Sequence, residues 1–468
     1  MDRPNFLVIM TDQQRGDCLS ADGHSVLMTP NMDAIGGAGV RFSRAYSTCP
    51  VCVPARRSFL SGQFPSVHGV LNNSNVHWEG PSLSSVLRDA GYQTEWIGRG
   101  MHQTPPLKRY GFEHMVFQDH RTEDDYDRFL AGREPEGSGG YYGTGVMHND
   151  WTARYWWHLD EAYHATNWTV SESLNFLKYR RDPSCPFFLV TSILAPHPPL
   201  VPPLFYLDRY LRQDLPRPLI GNWAEPPENN GVGDDVSAER VHLTGEALRS
   251  TYAGYYGLIN HIDDQIRRLL NPVNGVQQMT GRNTVVIFFS DHGEMLGDHY
   301  RWRKSLPYEG SARIPFMINA PERFELQRGA VSDVPVCIED LMPTILEMTD
   351  VAIPERVNGQ SLLPLMRGAG RLHRPYLHIE TSPTYHCLTD GKEKFIWFVS
   401  DGVEQFFDLV VDPGERHNLI EVSERQDRIG WWRKELVAVL QNRPEGFSAG
   451  GQLVAGRPYP GVMKKSPQ

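Results

Sequence analysis

The segment Thr284-Val285-Val286-Ile287-Phe288-Phe289-Ser290-Asp291-His292-Gly293-Glu294 joins an uninterrupted apolar run to a cluster of polar and ionisable residues. A continuous apolar run, rather than an alternating one, is typical of a strand buried on both faces of a mostly parallel sheet. Two other runs share this pattern, because Phe6 to Met10 leads into Thr11-Asp12-Gln13 and Phe187 to Leu194 leads into Ala195-Pro196-His197. The sequence therefore predicts three buried strands, each followed by polar residues.

Amphipathic stretches separate these runs, at Ser82 to Ala90, Thr166 to Tyr179 and Leu248 to Leu270. Strands that alternate with helices predict an α/β fold, here a large mixed, mostly parallel sheet sandwiched by helices. From about residue 375 the pattern changes to short strand-like pieces and a terminal helix near Gln426 to Leu440. Because 468 residues exceed what one core usually organises, we expect a large α/β domain over residues 1–370 and a smaller antiparallel-sheet subdomain with a tail over 371–468.

Composition excludes several classes of function. Hydrophobic residues make up 40% and charged residues 22% of the chain, which is ordinary globular composition. The formal net charge of −10, without a long basic run, disfavours nucleic acid as a partner. No stretch reaches the roughly 18 apolar residues of a membrane helix, and the first apolar run is too short for an export signal. Since six cysteines are few for this length, we expect a reducing, cytoplasmic location.

Polar residues that follow parallel strands should meet at one edge of the sheet, where ligands of such sheets bind. This edge would collect Asp12, Gln13, His197, Asp291 and His292. Three oxygen donors and one imidazole suit a divalent cation such as Ca²⁺, Mg²⁺ or Mn²⁺. Each residue alone is as readily a helix cap or turn residue, so the convergence is what favours a metal site.

A second group of residues surrounds the sequence Cys49-Pro50-Val51-Cys52-Val53-Pro54-Ala55-Arg56. The C-x-x-C spacing could indicate zinc or redox chemistry, but a structural zinc site needs four ligands and no second pair follows. Pro54 suits the first turn of a helix that ends near Gly62. Cys52 would then lie at a helix N-terminus, which attracts anions, and Arg56 would add a guanidinium suited to an oxyanion.

These residues carry a family resemblance. Cys52-Val53-Pro54-Ala55-Arg56 resembles the C-x-P-[SA]-R signature of the sulfatases, in which this cysteine is oxidised to formylglycine. The sequence from Ser290 to His299, followed by Trp302, Lys304 and Tyr308-Glu309, is similar to the second metal block of that family. Pro186 to His197 resembles its central strand and histidine, and Phe407 to Leu419 resembles its C-terminal sheet motif. The resemblance spans about residues 4 to 420 and implies a formylglycine-dependent sulfuric ester hydrolase of the alkaline-phosphatase-like superfamily.

The resemblance also implies a role for each matching residue. The implied metal ligands are Asp12, Gln13, Cys52, Asp291 and His292, around one divalent ion, Ca²⁺ in the first place and Mn²⁺ or Mg²⁺ as alternatives. The hydrated formylglycine at Cys52, acidified by the metal, would attack sulfur. Of the remaining catalytic residues, Arg56 would hold the formylglycine and Lys304 would bind the sulfate oxygens. His197 would protonate the leaving oxygen, and His102 would be the base that helps to expel sulfate.

Two departures from the family pattern bear on anion and metal binding. Where the family usually shows G-K-x-H, this chain reads Gly98-Arg99-Gly100-Met101-His102. Either Arg99 supplies the missing cation from a shifted loop, or sulfate binding relies on Lys304 and Arg56. Gln13 stands where many relatives carry a second aspartate, and the lost negative charge should weaken cation binding.

Three functional hypotheses remain open at this point. The first is hydrolysis of an aryl, alkyl or carbohydrate sulfate, and the second is hydrolysis of a phosphonate monoester or phosphodiester at the same site. The third is a catalytically silent binding protein in which Cys52 stays unmodified. The implied partners are a small-molecule or saccharide sulfate ester, a formylglycine-generating enzyme during maturation and, through the tail after Phe447, a second copy of the chain.

Aromatic residues in the insertions offer one further hypothesis. They could form a platform for a sugar or aryl group, although such residues more often pack a loop against the core. The candidates are Tyr141, Tyr142, Trp151, Trp156 and Trp157.

Overall fold

The computed structural model describes residues 3–100, 103–119, 123–228 and 238–463. The strands are β1 Asn5–Asp12, β2 Val40–Phe42, β3 Ala45–Tyr46, β4 Gln93–Arg99, β5 His114–Gln118, β6 Phe187–Pro196, β7 Thr284–Ser290, β8 Arg313–Ile314, β9 Phe316–Asn319, β10 Ala330–Ser332, β11 Val336–Cys337, β12 Leu377–Thr381, β13 Tyr385–Thr389, β14 Glu393–Phe398, β15 Glu404–Asp408, β16 Ser448–Ala449 and β17 Gln452–Leu453. The α-helices are α1 Pro30–Ala38, α2 Cys52–Ser61, α3 Pro65–His68, α4 Leu83–Asp89, α5 Asp125–Ala131, α6 Ala165–Asn175, α7 Leu204–Leu211, α8 Gly245–Leu270, α9 Val276–Met279, α10 Glu309–Ala312, α11 Leu341–Met348, α12 Leu363–Met366 and α13 Gln426–Leu440. A π-helical turn, Phe176–Arg180, continues α6.

The main sheet has eight strands in the order β10-β2-β9-β7-β1-β6-β4-β5. The five strands from β7 to β5 run parallel to one another, and β9 is antiparallel to both of its neighbours. The predicted mixed, mostly parallel sheet is therefore confirmed. The strand β1 lies between β7 and β6, so the three apolar runs of the sequence form adjacent strands at the centre of the sheet.

Helices cover both faces of this sheet because the central strands are apolar on both faces. Every residue of β1 is buried, and Leu7 and Ile9 pack with α6 and α8 on one face. Phe6, Val8 and Met10 pack with α2, α4 and α11 on the other face. The uninterrupted apolar pattern of the sequence thus reflects two separate hydrophobic layers.

The C-terminal region forms a four-stranded antiparallel sheet in which β12 to β15 follow one another in order. The predicted small antiparallel sheet is confirmed, and α13 has the predicted bounds. The sequence analysis missed β13, which supplies the second strand. The boundary at residue 370 between two domains stays a prediction.

The tail after α13 packs on its own chain. Phe447 and Tyr459 are buried, and Val462 forms an isolated antiparallel bridge with Val70. Residues 447–463 are therefore ordered against the rest of the chain, and the predicted contact of the tail with a second copy stays a prediction.

Within the described ranges, no helix combines the length and the apolar character that crossing a membrane requires.

The helix α13 allows a direct test of this packing. Leu436 is fully buried against the C-terminal sheet, so Leu436→Ala should lower the free energy of unfolding by about 2–5 kcal/mol. The matched control, Lys434→Ala, lies on the exposed face of the same helix and should change it by less than about 0.5 kcal/mol. Urea unfolding followed by tryptophan fluorescence measures both values, and equal effects would contradict the described packing.

Candidate active site

The carboxyl ends of the central strands meet the N-terminus of α2. Asp12 ends β1, whereas Asp291 and His292 directly follow β7, and Cys52 is the first residue of α2. One ligand atom from each of these four residues lies within 4.8 Å of the other three. All four residues are buried. The structure thus brings together residues that are up to 280 positions apart in the sequence, as the strand-end argument expects.

The guanidinium of Arg56 joins the two carboxylates of this centre. Its Nε donates to Asp291 Oδ2 and one terminal nitrogen donates to Asp12 Oδ2, both at 2.9 Å. The other terminal nitrogen donates to the carbonyl oxygens of Arg99 and Gly100 and to Ser192 Oγ. Arg56 has no exposed surface. The structure therefore places Arg56 behind the two aspartates and ties α2 to the ends of β1, β4, β6 and β7.

The donor atoms of the centre suit a divalent cation. His292 Nδ1 lies 3.0 Å from the carbonyl of Gly293, which accepts its hydrogen, so the neutral ring carries its lone pair on Nε2. This Nε2 is 3.5 Å from Asp12 Oδ1 and 3.6 Å from Asp291 Oδ1. Atoms that bind one cation at about 2.0–2.6 Å are separated from one another by about 3–4.5 Å, so these three could share an ion.

Burial raises the pKa of the Asp12 carboxyl, but neighbouring His197, Arg56 and Lys304 together hold that pKa well below its usual range. Asp12 is therefore ionised at neutral pH, as a ligand of a divalent cation must be.

The side-chain amide of Gln13 is oriented by its neighbours. Its Oε1 accepts a hydrogen bond of 2.9 Å from Lys304 Nζ, and its Nε2 donates to Glu294 Oε2. The Gln13 backbone has a φ of +73°, uncommon for a residue with a side chain, and is held by Asp291 Oδ1 and by the Tyr255 hydroxyl. Glu294 thus fixes which way the amide points.

The sequence analysis assigned no role to Glu294. Its Oε1 also accepts hydrogen bonds from the backbone N–H groups of Leu296 and Arg303, so both oxygens are committed. The one signal in the sequence was a carboxylate two residues after the presumed ligand His292.

The sulfur of Cys52 faces both a cation and the presumed metal ligands. Its Sγ is 3.0 Å from Lys304 Nζ and 3.2 Å from His292 Nε2. Burial and Asp12 raise the pKa of the Cys52 thiol, but Lys304 and His292 outweigh them and leave the pKa below its usual value. Cys49 contrasts with it, since burial raises the pKa of its thiol well above the usual value. Only Cys52 of the two belongs to a potential ligand group in the described part of the chain.

The helix that carries Cys52 is capped by a residue that sequence reasoning missed. Asn73 Oδ1 accepts a hydrogen bond of 3.0 Å from the backbone N–H of Val53, the second residue of α2. This bond holds the start of the helix, and with it Cys52, against the segment that follows α3.

His197 lies beside the same centre. It follows β6, is 1% exposed, and its Nδ1 lies 2.7 Å from the carbonyl of Pro198. Burial and Lys304 lower the pKa of His197 well below its usual value, so the resting imidazole is neutral with a lone pair on Nε2. The ring of His148 stacks on it at a centroid distance of 4.6 Å.

Arg99 is held between two carboxylates. Its guanidinium is 2% exposed and lies 3.5 Å from Asp12 Oδ2 and 3.5 Å from Asp119 Oδ1. Of the two explanations for the missing lysine, a shifted Arg99 is therefore disfavoured. The predicted base His102 lies outside the described residues.

The aromatic residues of the insertions mostly pack inward. Tyr141, Trp151 and Trp156 are buried in the hydrophobic layer under the loops, whereas Trp157 is 56% exposed. Tyr142 is partly buried and packs against the same layer, so the loop-packing interpretation describes four of the five candidates.

A second group of potential ligands, His378, Glu380 and His386, lies in the C-terminal sheet. The guanidinium of Arg443 is 3.0 Å from Glu380 Oε2, and the Tyr459 hydroxyl donates to the same oxygen at 2.6 Å. A cation there would lie beside a fixed positive charge, so the arrangement favours a buried ion pair rather than a metal site.

Known proteins match this chain in sequence and in fold. A family model described as Sulfatase matches residues 4–351, and one described as N-sulphoglucosamine sulphohydrolase, C-terminal, matches residues 297–442. An arylsulfatase of Clostridium perfringens is 38% identical over 97% of this chain and 98% of its own length. A choline-sulfatase of Rhizobium meliloti is 29% identical over 90% of this chain and 83% of its own length.

Solved structures share the fold. A phosphonate monoester hydrolase of Agrobacterium radiobacter superposes with a TM-score of 0.79 at 23% identity, covering 94% of this chain and 96% of its own. A structure in complex with D-glucosamine-2-N,6-O-disulfate superposes with a TM-score of 0.74 at 22% identity, covering 94% and 98%.

The contact between Glu294 and Gln13 leads to a testable expectation. Glu294→Gln removes an acceptor of the Gln13 amide, which can then turn its oxygen away from the centre. Loss of such a supporting contact typically weakens metal binding about 10–100-fold, and we expect a change of this size in the Kd for Ca²⁺, Mn²⁺ or Mg²⁺. Calorimetric titration of the metal-stripped protein measures this Kd. Glu239→Gln, at an exposed position whose backbone carbonyl accepts from the N–H of Trp302, is the control, and an unchanged Kd in Glu294→Gln would contradict the expectation.

Proposed function

This chain belongs to the sulfatase family and hydrolyses sulfate esters, and from that premise we propose that Cys52, oxidised to formylglycine, is the residue at which sulfur is attacked. The observation that carries this proposal is the position of Cys52 Sγ, 3.0 Å from Lys304 Nζ and 3.2 Å from His292 Nε2. A group at this point lies between a cation that can hold a sulfate anion and the donor atoms of a metal site.

We propose that one divalent cation binds Asp12, Gln13, Asp291 and His292, with the formylglycine oxygen in the place of Cys52 Sγ. Carboxylate and amide oxygens outnumber the single imidazole, which favours Ca²⁺, with Mn²⁺ or Mg²⁺ as alternatives. When bound, the cation and formylglycine together supply a nucleophilic oxygen near neutral pH. Arg56 contributes by holding the two aspartates, since its guanidinium lies behind them.

Lys304 is proposed to bind the sulfate oxygens. Its ammonium lies within hydrogen-bonding distance of both Cys52 Sγ and Gln13 Oε1, on the side where a substrate anion would approach. A fixed positive charge there stabilises the negative charge that the transferring sulfuryl group carries in the transition state.

His197 is proposed to give a proton to the leaving oxygen. The carbonyl of Pro198 holds the Nδ1 hydrogen, so proton transfer takes place at Nε2. The low pKa of the resting imidazole means that it must first gain a proton, and a bound sulfate anion favours the protonated form.

The proposed substrate is an aryl or carbohydrate sulfate. The arylsulfatase relative aligns over nearly the whole of both chains, and one structure with the same fold was solved with a disulfated glucosamine. Hydrolysis of a phosphonate monoester is the second candidate, because a phosphonate monoester hydrolase has the same fold. Maturation by a formylglycine-generating enzyme, a cytoplasmic location and a homo-oligomer stay predictions.

The first test compares 4-nitrophenyl sulfate with a 4-nitrophenyl phosphonate monoester, using protein coexpressed with a formylglycine-generating enzyme. We expect a higher kcat/KM for the sulfate, and a loss of about 10³-fold or more in Cys52→Ala because the nucleophile is removed. Mass spectrometry of the peptide containing residue 52 reports the fraction of formylglycine.

The matched control is Cys49→Ala, a buried cysteine three residues away that lacks the contacts to Lys304 and His292. It should retain activity. A preference for the phosphonate would replace the substrate class, and full activity in Cys52→Ala would refute the proposed nucleophile.

The second test concerns proton transfer to the leaving group. His197→Ala should lower kcat/KM about 10²–10⁴-fold for a sugar sulfate, whose alkoxide is a poor leaving group. For 4-nitrophenyl sulfate the loss should be about tenfold or less, because nitrophenolate leaves without a proton. His242→Ala, at an exposed histidine, serves as the control. Equal losses on both substrates would show that His197 does not act as the acid.

A further inference from the structure

The segment from Arg303 to Glu309 carries Lys304 between the main sheet and the C-terminal sheet. The residues on both sides of Lys304 have left-handed backbones, with φ of +67° at Arg303 and +69° at Ser305. Residues with side chains adopt this conformation only where the surroundings hold them in it. The contacts at the two ends of the segment therefore determine where the Lys304 ammonium lies.

The start of the segment is held next to Cys52. The backbone N–H of Arg303 donates to Glu294 Oε1, and the N–H of Ser305 donates to the carbonyl of Pro50 at 3.0 Å. Pro50 is two residues before Cys52, so this end of the segment is bonded to the loop that precedes α2.

The other end of the segment is held by a buried ammonium of the C-terminal sheet. Lys394, in β14, has no exposed surface. Its Nζ donates to the carbonyl of Pro307 at 2.8 Å and to Glu415 Oε1 at 2.7 Å, and lies 2.9 Å from Glu309 Oε1. Lys394 thus contacts the segment at Pro307 and pairs with two carboxylates, those of Glu309 and Glu415.

Two further bonds join the segment to the C-terminal region. The backbone N–H of Glu309 donates to Glu415 Oε2 at 2.7 Å. The Tyr308 hydroxyl donates to Gln405 Oε1, in β15, at 2.9 Å. Three successive residues after the Lys304 turn are therefore bound to residues of the C-terminal region.

Burying an ammonium and two carboxylates is costly, and apolar residues often stabilise a fold as well as a buried ion pair does. What an ion pair adds is directionality, because the ammonium needs acceptors at definite positions. Here those acceptors belong to the segment that carries Lys304 and to the turn that contains Glu415.

We propose that Lys394, together with Glu415, is a positioning residue that sets the location of the Lys304 ammonium. The C-terminal sheet then takes part in sulfate binding without touching the substrate. This inference rests on the proposed role of Lys304 as the sulfate-binding cation.

A double-mutant cycle separates positioning from general stability. Lys394→Met should lower kcat/KM for 4-nitrophenyl sulfate about tenfold or more, and should raise the inhibition constant of inorganic sulfate by a similar factor. In a Lys304→Met background the same substitution should lower kcat/KM less than about twofold, because the residue it positions is already gone. The matched control is Lys392→Met, the same change at an exposed lysine two residues away, which should leave kcat/KM unchanged.

Hydrogen exchange provides a readout that does not depend on turnover. In Lys394→Met the amides of Ser305 and Glu309 should exchange about tenfold faster or more, whereas those of α2 and those in Lys392→Met should not change. If the wild-type protein hydrolyses no sulfate ester, the proposed function fails, and faster exchange in this segment still supports the placement of the segment by Lys394.

Other results would overturn the proposal. The first is that the losses in kcat/KM of Lys394→Met and Lys304→Met multiply in the double variant. The second is that residues 303–309 of Lys394→Met exchange their amide hydrogens as in the wild type. If Lys394→Met does not fold, Glu415→Gln replaces it. The glutamine side chain keeps the shape of the glutamate, but its NH₂ group would face another donor, either the backbone N–H of Glu309 or the Lys394 ammonium. That variant should give the same non-additivity with Lys304→Met, and additive losses would refute the proposal.

Discussion

The buried guanidinium of Arg56 is the contact on which the site depends. It binds Asp12 at the end of β1 and Asp291 after β7, and its remaining donors reach carbonyl groups at the end of β4 and a hydroxyl of β6. Removing one partner of a fully buried ion pair typically costs about 3–5 kcal/mol, because the other charge remains buried without compensation. The two aspartates, the helix of Cys52 and the central strands are thus coupled, and the site and the sheet edge form one structural unit.

The same edge separates supporting residues from the residues proposed to meet the substrate. Arg56 and Arg99 bind Asp12, whereas the ammonium of Lys304 contacts Cys52 Sγ and the backbone N–H of His197 donates to the carbonyl of Asp12. Glu294 joins the two groups, since it orients the Gln13 amide and accepts the Arg303 N–H next to Lys304. The proposed metal site and the proposed anion site therefore share one support.

Patterns local in sequence were predictable, and contacts distant in sequence were not. Uninterrupted apolar runs located β1, β6 and β7, and the apolar periodicity of α13 gave its bounds. The strand β13, Tyr385–Thr389, was missed because its polar and apolar residues do not alternate, both faces of this strand being buried. The strand-end argument placed Asp12 beside Asp291, but the orientation of Gln13 by Glu294 and the burial of Arg99 against Asp119 depend on side-chain directions that spacing does not encode.

Charge balance explains why the location of one lysine matters so much here. Among the described residues around Cys52, the guanidinium groups of Arg56 and Arg99 are buried and bound to Asp12 and to other carboxylates. Gly100 occupies the place where the family usually carries a second lysine. In the proposed site, the charge of a sulfate ester would then be met by Lys304 and by the metal ion. Because Coulomb attraction falls with distance and with solvent exposure, an error of an ångström in Lys304 would not be compensated by a neighbouring cation. A site with so few free cations therefore needs a rigid segment around Lys304. The left-handed residues on both sides of that lysine, in a segment held at both ends, provide this rigidity.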